Sequence, residues 1–244
     1  TSAIVAVHVF GNPAPVSELE VLASARGLHL VFDAAHGFGA SYRGRPVGPF
    51  GDAEVFSMSP TKLLVAGEGG IVATNHDGLA DSIRLGREYG NRGSYDSEFA
   101  GLNARLPEFN AILALRNLET LEENAQARTR LATEFMQRLK DVPGIRFQRV
   151  HPQDRSSYKD FSIWVEEQLF GLSRDDLAYA LQAENVDTRK YYDPPTHRHQ
   201  AYRDLLDRYR EALPVTDAIA QGALSLPIWS HMPVEMVRDI SNAI

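Results

Sequence analysis

The chain has 244 residues, 43% hydrophobic and 23% charged, with 25 Lys and Arg against 32 Asp and Glu for a formal net charge of −7. These proportions exclude disordered, collagen-like and coiled-coil chains, and the acidic balance argues against a nucleic-acid backbone as the main partner. No cysteine is present, which excludes disulfides, thiol nucleophiles and cysteine-ligated metals without identifying a compartment.

The first apolar stretch, Ala3 to Phe10, is interrupted by His8 and is far too short to span a membrane. It also lacks the basic region that opens a signal peptide. A cytoplasmic protein with no membrane partner is the expectation. Residues 3–9 read as a buried strand closed by Gly11-Asn12-Pro13. Ser17 to Arg26 reads as a helix with Leu19, Leu22 and Ala23 on one face, ended by Gly27. Leu28 to Phe32, Glu54 to Ser57 and Ile71 to Thr74 give three more strands. Apolar strands alternating with helices predict an α/β fold, with a mostly parallel sheet covered on both faces.

From Pro107 a helical pattern runs to about Lys140, with Phe109, Ile112, Leu113, Leu115 and Leu118 early and Leu131, Phe135 and Leu139 late. Its first half fits an apolar-facing helix. The polar middle, Glu119 to Arg130, suits a helix bridging two domains. A boundary near residue 125 therefore divides a domain of residues 1–125 from an α+β domain of residues 126–244. Pro143-Gly144 breaks the chain. Phe161 to Val165 alternates like a half-buried strand, and Ser173 to Asp176 starts a helix containing Leu177 and Leu181. Val186 to Tyr192 reads as a further strand, Arg203 to Glu211 as a solvated helix face, and Val234 to Ile244 as a closing helix.

The residues that carry chemistry lie between 30 and 70. Asp33 follows Leu30-Val31-Phe32, at the strand end where open α/β sheets place ligands. Alone it reads first as a structural aspartate capping a turn. Lys62 closes the Ser/Thr-rich turn Ser57-Met58-Ser59-Pro60-Thr61 and precedes Gly67-Glu68-Gly69-Gly70. An amine so placed neutralises a phosphate or forms a Schiff base; alone, it reads as a solvated loop lysine. No Walker loop is present. Jointly, a strand-end acid, a hydroxyl five residues before a lysine and glycines after it suit pyridoxal 5′-phosphate (PLP), whose pyridine nitrogen a carboxylate keeps protonated. His8 reads as a hydrogen-bonded core histidine, and Tyr191 and Tyr192 as core aromatics or as a packing surface for a sugar or base.

The stretches Val7 to Pro13, Asp33 to Ala40, Phe56 to Lys62 and Gly67 to Gly70 resemble the DegT-type family of nucleotide-sugar aminotransferases, which are fold-type I PLP enzymes. Gly101 to Glu108, Tyr192 to His197 and Leu224 to Pro227 resemble it too, in the same order along the chain. The resemblance implies that Lys62 is the Schiff-base lysine and proton carrier, Asp33 the partner of the pyridinium, His36 a neighbour of the cofactor ring or its phenolic oxygen, and Ser57 a phosphate-binding hydroxyl. It further implies that Asn103 reaches the phosphate in a neighbouring subunit, making a homodimer with shared active sites. His197 matches a histidine near the substrate, although with Arg198, His199 and Gln200 it equally suits a surface loop. The family's large domain begins before the segment matching Thr1, with a phosphate loop and a stacking aromatic, so a longer native protein is expected.

The implied activity is transfer of an amine from an amino acid, glutamate by expectation, to a nucleotide-linked keto sugar. The rivals are transfer to a non-nucleotide cyclic ketone of cyclitol type and non-catalytic, regulatory binding of PLP. Dehydrating relatives carry histidine in place of the lysine, and Lys62 speaks against that branch.

Overall fold

Short apolar runs punctuated by glycine turns become strands β1 (Ala3–Val7) and β2 (His29–Asp33), a small hairpin β3 (Ser41–Tyr42) and β4 (Arg45–Pro46), then β5 (Ala53–Ser57) and β6 (Gly70–Ala73). Strands β1, β2, β5 and β6 form one sheet in that order. β1 runs parallel to β2 with Val7 opposite Asp33, and β2 parallel to β5 with Asp33 opposite Val55. β6 is antiparallel to β5, pairing Gly70 with Ser57. The computed structural model describes residues 1–205 and 213–244. These fall into two compact units, Thr1–Gln126 with Val150–Lys159, and Ala127–Arg149 with Asp160–Ile244. A single boundary near 125 does not express the return of residues 150–159 to the first unit.

Helix α1 (Val16–Arg26) ends on Gly27, whose left-handed φ of 61° lets its N–H reach back to the carbonyls of Ala23 and Ser24. Val16 and Ala23 of α1 pack with Leu30, Phe32, Tyr42 and Phe50, and Ile4, Ala6 and Leu19 join this core. Leu22, expected on the same face, is exposed. The opposite sheet face is open, with Val5 at 68% exposure and Val7 and Val55 also exposed. The expectation that both faces are covered is thus corrected for this chain. The first strand also stops at Val7, earlier than residue 9. His8 turns its ring into the core, where Nδ1 accepts the Ala14 N–H at 2.9 Å. Val9–Gly11 then forms a 3-10 turn with Phe10 at φ 60°.

Helix α2 (Asp77–Gly86) follows β6, and the long helical pattern divides into α3 (Glu108–Leu118) and α4 (Leu121–Leu139). The large apolar residues of α3 do not enter a core: none is buried, and Phe109 is 87% exposed, while only the small Ala114 packs against Met58, Leu64 and Ala66. The helix instead turns Asn110, Ala114 and Asn117, an i, i+4, i+7 stripe, toward the loop after β5. Asn110 Nδ2 donates to the carbonyls of Ala66 (2.7 Å) and Glu68 (3.1 Å), and Asn117 Nδ2 to that of Val65 (2.8 Å).

The polar middle of α4 carries the chain from the first unit to the second between Gln126 and Ala127. In the second unit β7 (Ile145–Phe147), β8 (Phe161–Val165) and β9 (Ala223–Leu226) make an antiparallel sheet in that order. Helices α5 (Glu167–Phe170), α6 (Arg174–Ala183), α7 (Pro214–Gly222) and α8 (Val234–Ala243) complete its described elements. Phe135, Leu139, Ile163, Leu181, Leu224 and Val237 are fully buried in this unit, and Phe135 stacks on Phe161 at 5.0 Å. Ser173 caps α6, accepting the Asp176 N–H at 3.1 Å.

Val186 to Tyr192 is not a strand. Only Arg189 pairs, bridging Ser225 of β9, before the chain turns at Lys190. Tyr192 is exposed, so it is not the core aromatic that the sequence allows. Residues 203–205 of the expected solvated helix lie in a 3-10 turn (Gln200–Leu205), and the remainder to Glu211 falls outside the described residues. Among the described residues no helix is long and apolar enough to cross a membrane.

Candidate functional site

Parallel pairing of β1, β2 and β5 brings the loops that follow their C-terminal ends to one edge of the sheet, the edge where such sheets hold ligands. Asp33 is the last residue of β2. Its Oδ1 accepts the Ala35 N–H at 3.0 Å, an Asx turn that fixes the carboxylate at the strand end and leaves Oδ2 outside that turn. On the neighbouring strand Ser57 ends β5. Its Oγ accepts the Ser59 N–H at 3.4 Å, and the Lys62 N–H closes the following turn on the Ser59 carbonyl at 3.0 Å. The turn is then anchored by Met58, whose N–H donates to Gly69 and whose carbonyl accepts from Ala66.

His36 lies in the turn after Asp33. Its Nδ1 accepts the Phe10 N–H at 3.2 Å, so the neutral ring carries its proton on Nε2. Burial, followed by the nearby ammonium groups of Lys62 and Lys159, lowers its pKa to about 3, and the imidazole is neutral at physiological pH. Asp33, His36, Ser57 and Lys62 thus come from adjacent loops at one sheet edge, with Lys62 close enough to His36 to disfavour its protonation. His8 lies beneath them. It is fully buried, stacks on Phe32 at 5.0 Å and donates its backbone N–H to the Asp33 carbonyl. Burial lowers its pKa to about 4.

Two candidate residues are elsewhere. Asn103 is exposed in the loop before α3, where it bridges Glu88 and its Oδ1 accepts from Arg105 at 3.3 Å. His197 belongs to the second unit. Its ring pairs with Asp217 of α7 at 2.9 Å, and Arg198 grips the same carboxylate at 2.6 and 2.7 Å. The histidine is held in a network within its own unit, and its side chain is 8% exposed, which corrects the surface-loop alternative. His199 is exposed and contacts the Pro194 carbonyl.

Sequence reasoning missed Ser157 and Lys159. The Ser157 N–H donates to the Gly11 carbonyl (3.1 Å), its Oγ to the His36 carbonyl (2.7 Å), and the Lys159 N–H to the Phe10 carbonyl (3.0 Å). A strap more than a hundred residues downstream therefore closes over the turn containing His36. It missed Asn110 and Asn117 as well, although their spacing of seven on a helix signals one polar face.

The donor set is a carboxylate, a neutral imidazole N–H donor, a hydroxyl and a primary amine on neighbouring strand-end loops. It fits PLP, which needs a carboxylate at its ring nitrogen, donors for its oxygens and an amine for its aldehyde. The DegT/DnrJ/EryC1/StrS aminotransferase family model matches residues 1–244. The chain belongs to this family of PLP-dependent aminotransferases. It is 39% identical over 241 residues to the erythromycin biosynthesis sensory transduction protein EryC1 of Saccharopolyspora erythraea, covering 98% of this chain and 64% of that protein. It is 36% identical over 245 residues to dTDP-3-amino-3,4,6-trideoxy-alpha-D-glucose transaminase of Streptomyces venezuelae, covering 100% of this chain and 63% of that protein. The solved structure of S. venezuelae DesV superposes with a TM-score of 0.91 at 34% identity, covering 100% of this chain and 64% of that one. The chain spans just under two thirds of the length of these relatives.

Proposed function

We propose that the whole protein is a PLP-dependent aminotransferase. It would convert a nucleotide-linked keto sugar to an amino sugar with an amino-acid donor, glutamate, as a cytoplasmic homodimer. The observation that carries this reading is the convergence of Asp33, His36, Ser57 and Lys62 on one sheet edge in a chain of this family. Residues 1–125 would belong to the larger, cofactor-binding domain and residues 126–244 to the smaller one.

Bound at this edge, PLP would supply an electron-accepting ring that stabilises negative charge on a substrate carbon. The residues of this chain do the rest. Asp33 holds the proton on the ring nitrogen, His36 donates its Nε2–H to the ring's phenolic oxygen, and Ser57 donates its hydroxyl to the phosphate. Lys62 would hold the cofactor through its amine until the donor's amine displaces it; its freed Nζ would then take the proton from the donor's α-carbon and deliver one to the acceptor carbon in the second half of the cycle. Asn103 reaches the phosphate in the partner subunit's site, and His197, oriented by Asp217, contacts the sugar substrate. The exposed apolar residues of α3 support a dimer, since a face with Phe109, Ile112 and Leu115 open to water suits a second copy.

The sugar reading draws on a relative named for a dTDP-sugar transaminase. A second reading, regulatory PLP binding without turnover, is favoured by the names of the EryC1 relative and of a pleiotropic regulatory protein of Geobacillus stearothermophilus. One experiment decides. The intact protein is loaded with PLP and glutamate and offered dTDP-linked keto sugars and free cyclitol ketones, beside the Lys62→Ala variant. Amine transfer to a dTDP-sugar that disappears with Lys62→Ala is the expected result. Transfer only to cyclitols moves the substrate class, and cofactor absorbance without any transfer favours the regulatory reading. Undiminished transfer by Lys62→Ala would remove Lys62 from the chemistry.

A further inference from the structure

Ser156, Ser157 and Lys159 are all buried, although they lie in a connecting segment far in sequence from the site. The strap they form is tied to the first unit at three points. The Ser157 N–H meets the Gly11 carbonyl, its hydroxyl meets the His36 carbonyl, and the Lys159 N–H meets the Phe10 carbonyl. Phe10 at φ 60° and Tyr158 at φ 45° are both left-handed, a conformation that non-glycine residues adopt only where the surroundings impose it. The two unusual residues interlock. Phe10's carbonyl accepts from the residue after Tyr158, and Phe10's N–H is the group that donates to His36 Nδ1. Ser156 Oγ braces the turn by accepting the Tyr158 N–H at 3.2 Å.

The Lys159 side chain is buried on this strap, and its ammonium disfavours protonation of His36. Placed here, the ammonium repels a proton on the imidazole while the strap holds Phe10's N–H against Nδ1. We propose that the strap from Ser156 to Lys159 positions the site, its ties to Phe10, Gly11 and the His36 carbonyl, with the Lys159 charge beside them, keeping His36 as the neutral tautomer that donates from Nε2. The proposal deepens the aminotransferase reading, which supplies the acceptor for that donor, but the tautomer itself needs no cofactor. The charged groups acting on the ring are Lys62 and Lys159, with the Asp33 carboxylate three residues before it and the half-buried Tyr158 hydroxyl, whose pKa burial raises, on the strap.

The test uses the intact protein without cofactor, labelled with nitrogen-15 at histidine and titrated by NMR, His36→Gln giving the assignment. In the unsubstituted protein His36 is expected to show an unprotonated Nδ1 and a protonated Nε2 from pH 8 down to pH 5. A protonated Nδ1 or a cationic ring in that range overturns the proposal, and this arm needs no substitution to fold. Lys159→Met is expected to raise the proton affinity of His36 about tenfold, the size of effect a neighbouring charge exerts, and Lys159→Arg to restore it. An unchanged midpoint in Lys159→Met overturns the role of the charge. If Lys159→Met does not fold, Lys159→Arg with Ser157→Ala decides. Loss of the single tautomer in Ser157→Ala alone supports the strap, and its persistence overturns it. Failure of amine transfer with these NMR results intact would count against the aminotransferase reading alone.

Discussion

Glu54 sits in the interior of β5 with no exposed surface. Its Oε1 accepts the Phe50 N–H at 3.3 Å, and among the described residues its Oε2 has no hydrogen-bond partner. Burial raises its pKa from 4.5 to about 7; the backbone N–H groups of Phe50 and Gly48 oppose that rise and the Glu20 carboxylate adds to it. The folded state therefore binds the proton more tightly than the unfolded chain. Stability from this group is complete below pH 4.5 and drains away as pH rises through 7, because the anion is stranded among apolar atoms. A rise of 2.5 in pKa, at 1.36 kcal/mol each, corresponds to about 3 kcal/mol lost between pH 4.5 and pH 8. Glu54→Gln keeps an oxygen for both backbone donors and removes the titration. The measurement is urea unfolding of the intact protein and the variant across pH 5 to 8.5. The variant is expected to gain on the parent by about 2 to 3 kcal/mol over that range, having been equal or slightly weaker at the acid end because its amide N–H groups lack acceptors. Parallel stability curves would show that Glu54 is already ionised near pH 5 and that the burial argument is mistaken.

Arg174 is buried in the second unit, donating to the carbonyls of Ala220 and Ala223 at 3.0 Å each and to Asp193 at 2.6 Å. Arg174→Ala leaves two carbonyls and a carboxylate unmatched and should cost about 3 to 5 kcal/mol in denaturant unfolding. Arg174→Lys should recover only part of it, since an ammonium lacks the forked geometry; full rescue by lysine would show that charge alone matters. A Cβ at Gly11 would lie 1.9 Å from Ser157 Oγ and 2.9 Å from the His36 carbonyl, at a φ of +91°. Gly11→Ala should destabilise by more than about 2 kcal/mol and expose the Ser157 amide to hydrogen exchange. Retained protection at Ser157 would mean that the strap does not depend on this close approach.

Asp33, Ser57 and Lys62 were legible because the rule that locates them is local. An apolar run followed by a polar residue and a tight turn marks the carboxyl end of a parallel strand, and three such ends lie side by side. Helices α1, α6 and α8 were legible for the same reason, their caps and breakers lying within a few residues of their ends. Val186 to Tyr192 failed because a strand requires a partner along its length, and β9 offers this segment a single residue. The strap failed more completely. Nothing in Ser156-Ser157-Tyr158-Lys159 reports that its partners are at Phe10, Gly11 and His36, because a left-handed tyrosine and three backbone carbonyls leave no mark in side-chain pattern.

Helix α3 separates the two kinds of information. Its apolar periodicity is genuine, yet the residues that carry it are exposed, and the working contacts belong to Asn110 and Asn117. Periodicity states which face of a helix gains by leaving water; it does not state which surface receives that face. The asparagines answer a different need. The loop at Val65, Ala66 and Glu68 presents carbonyls with no strand to pair them, and unpaired carbonyls near a core are costly. Two amides a double turn apart satisfy all three and so fix the loop that follows Lys62. The apolar side of α3 and its polar side are therefore under separate constraints. Only the polar one acts on the candidate site, so substituting Asn117 should loosen the loop after Lys62, whereas substituting Phe109 should leave that loop unchanged.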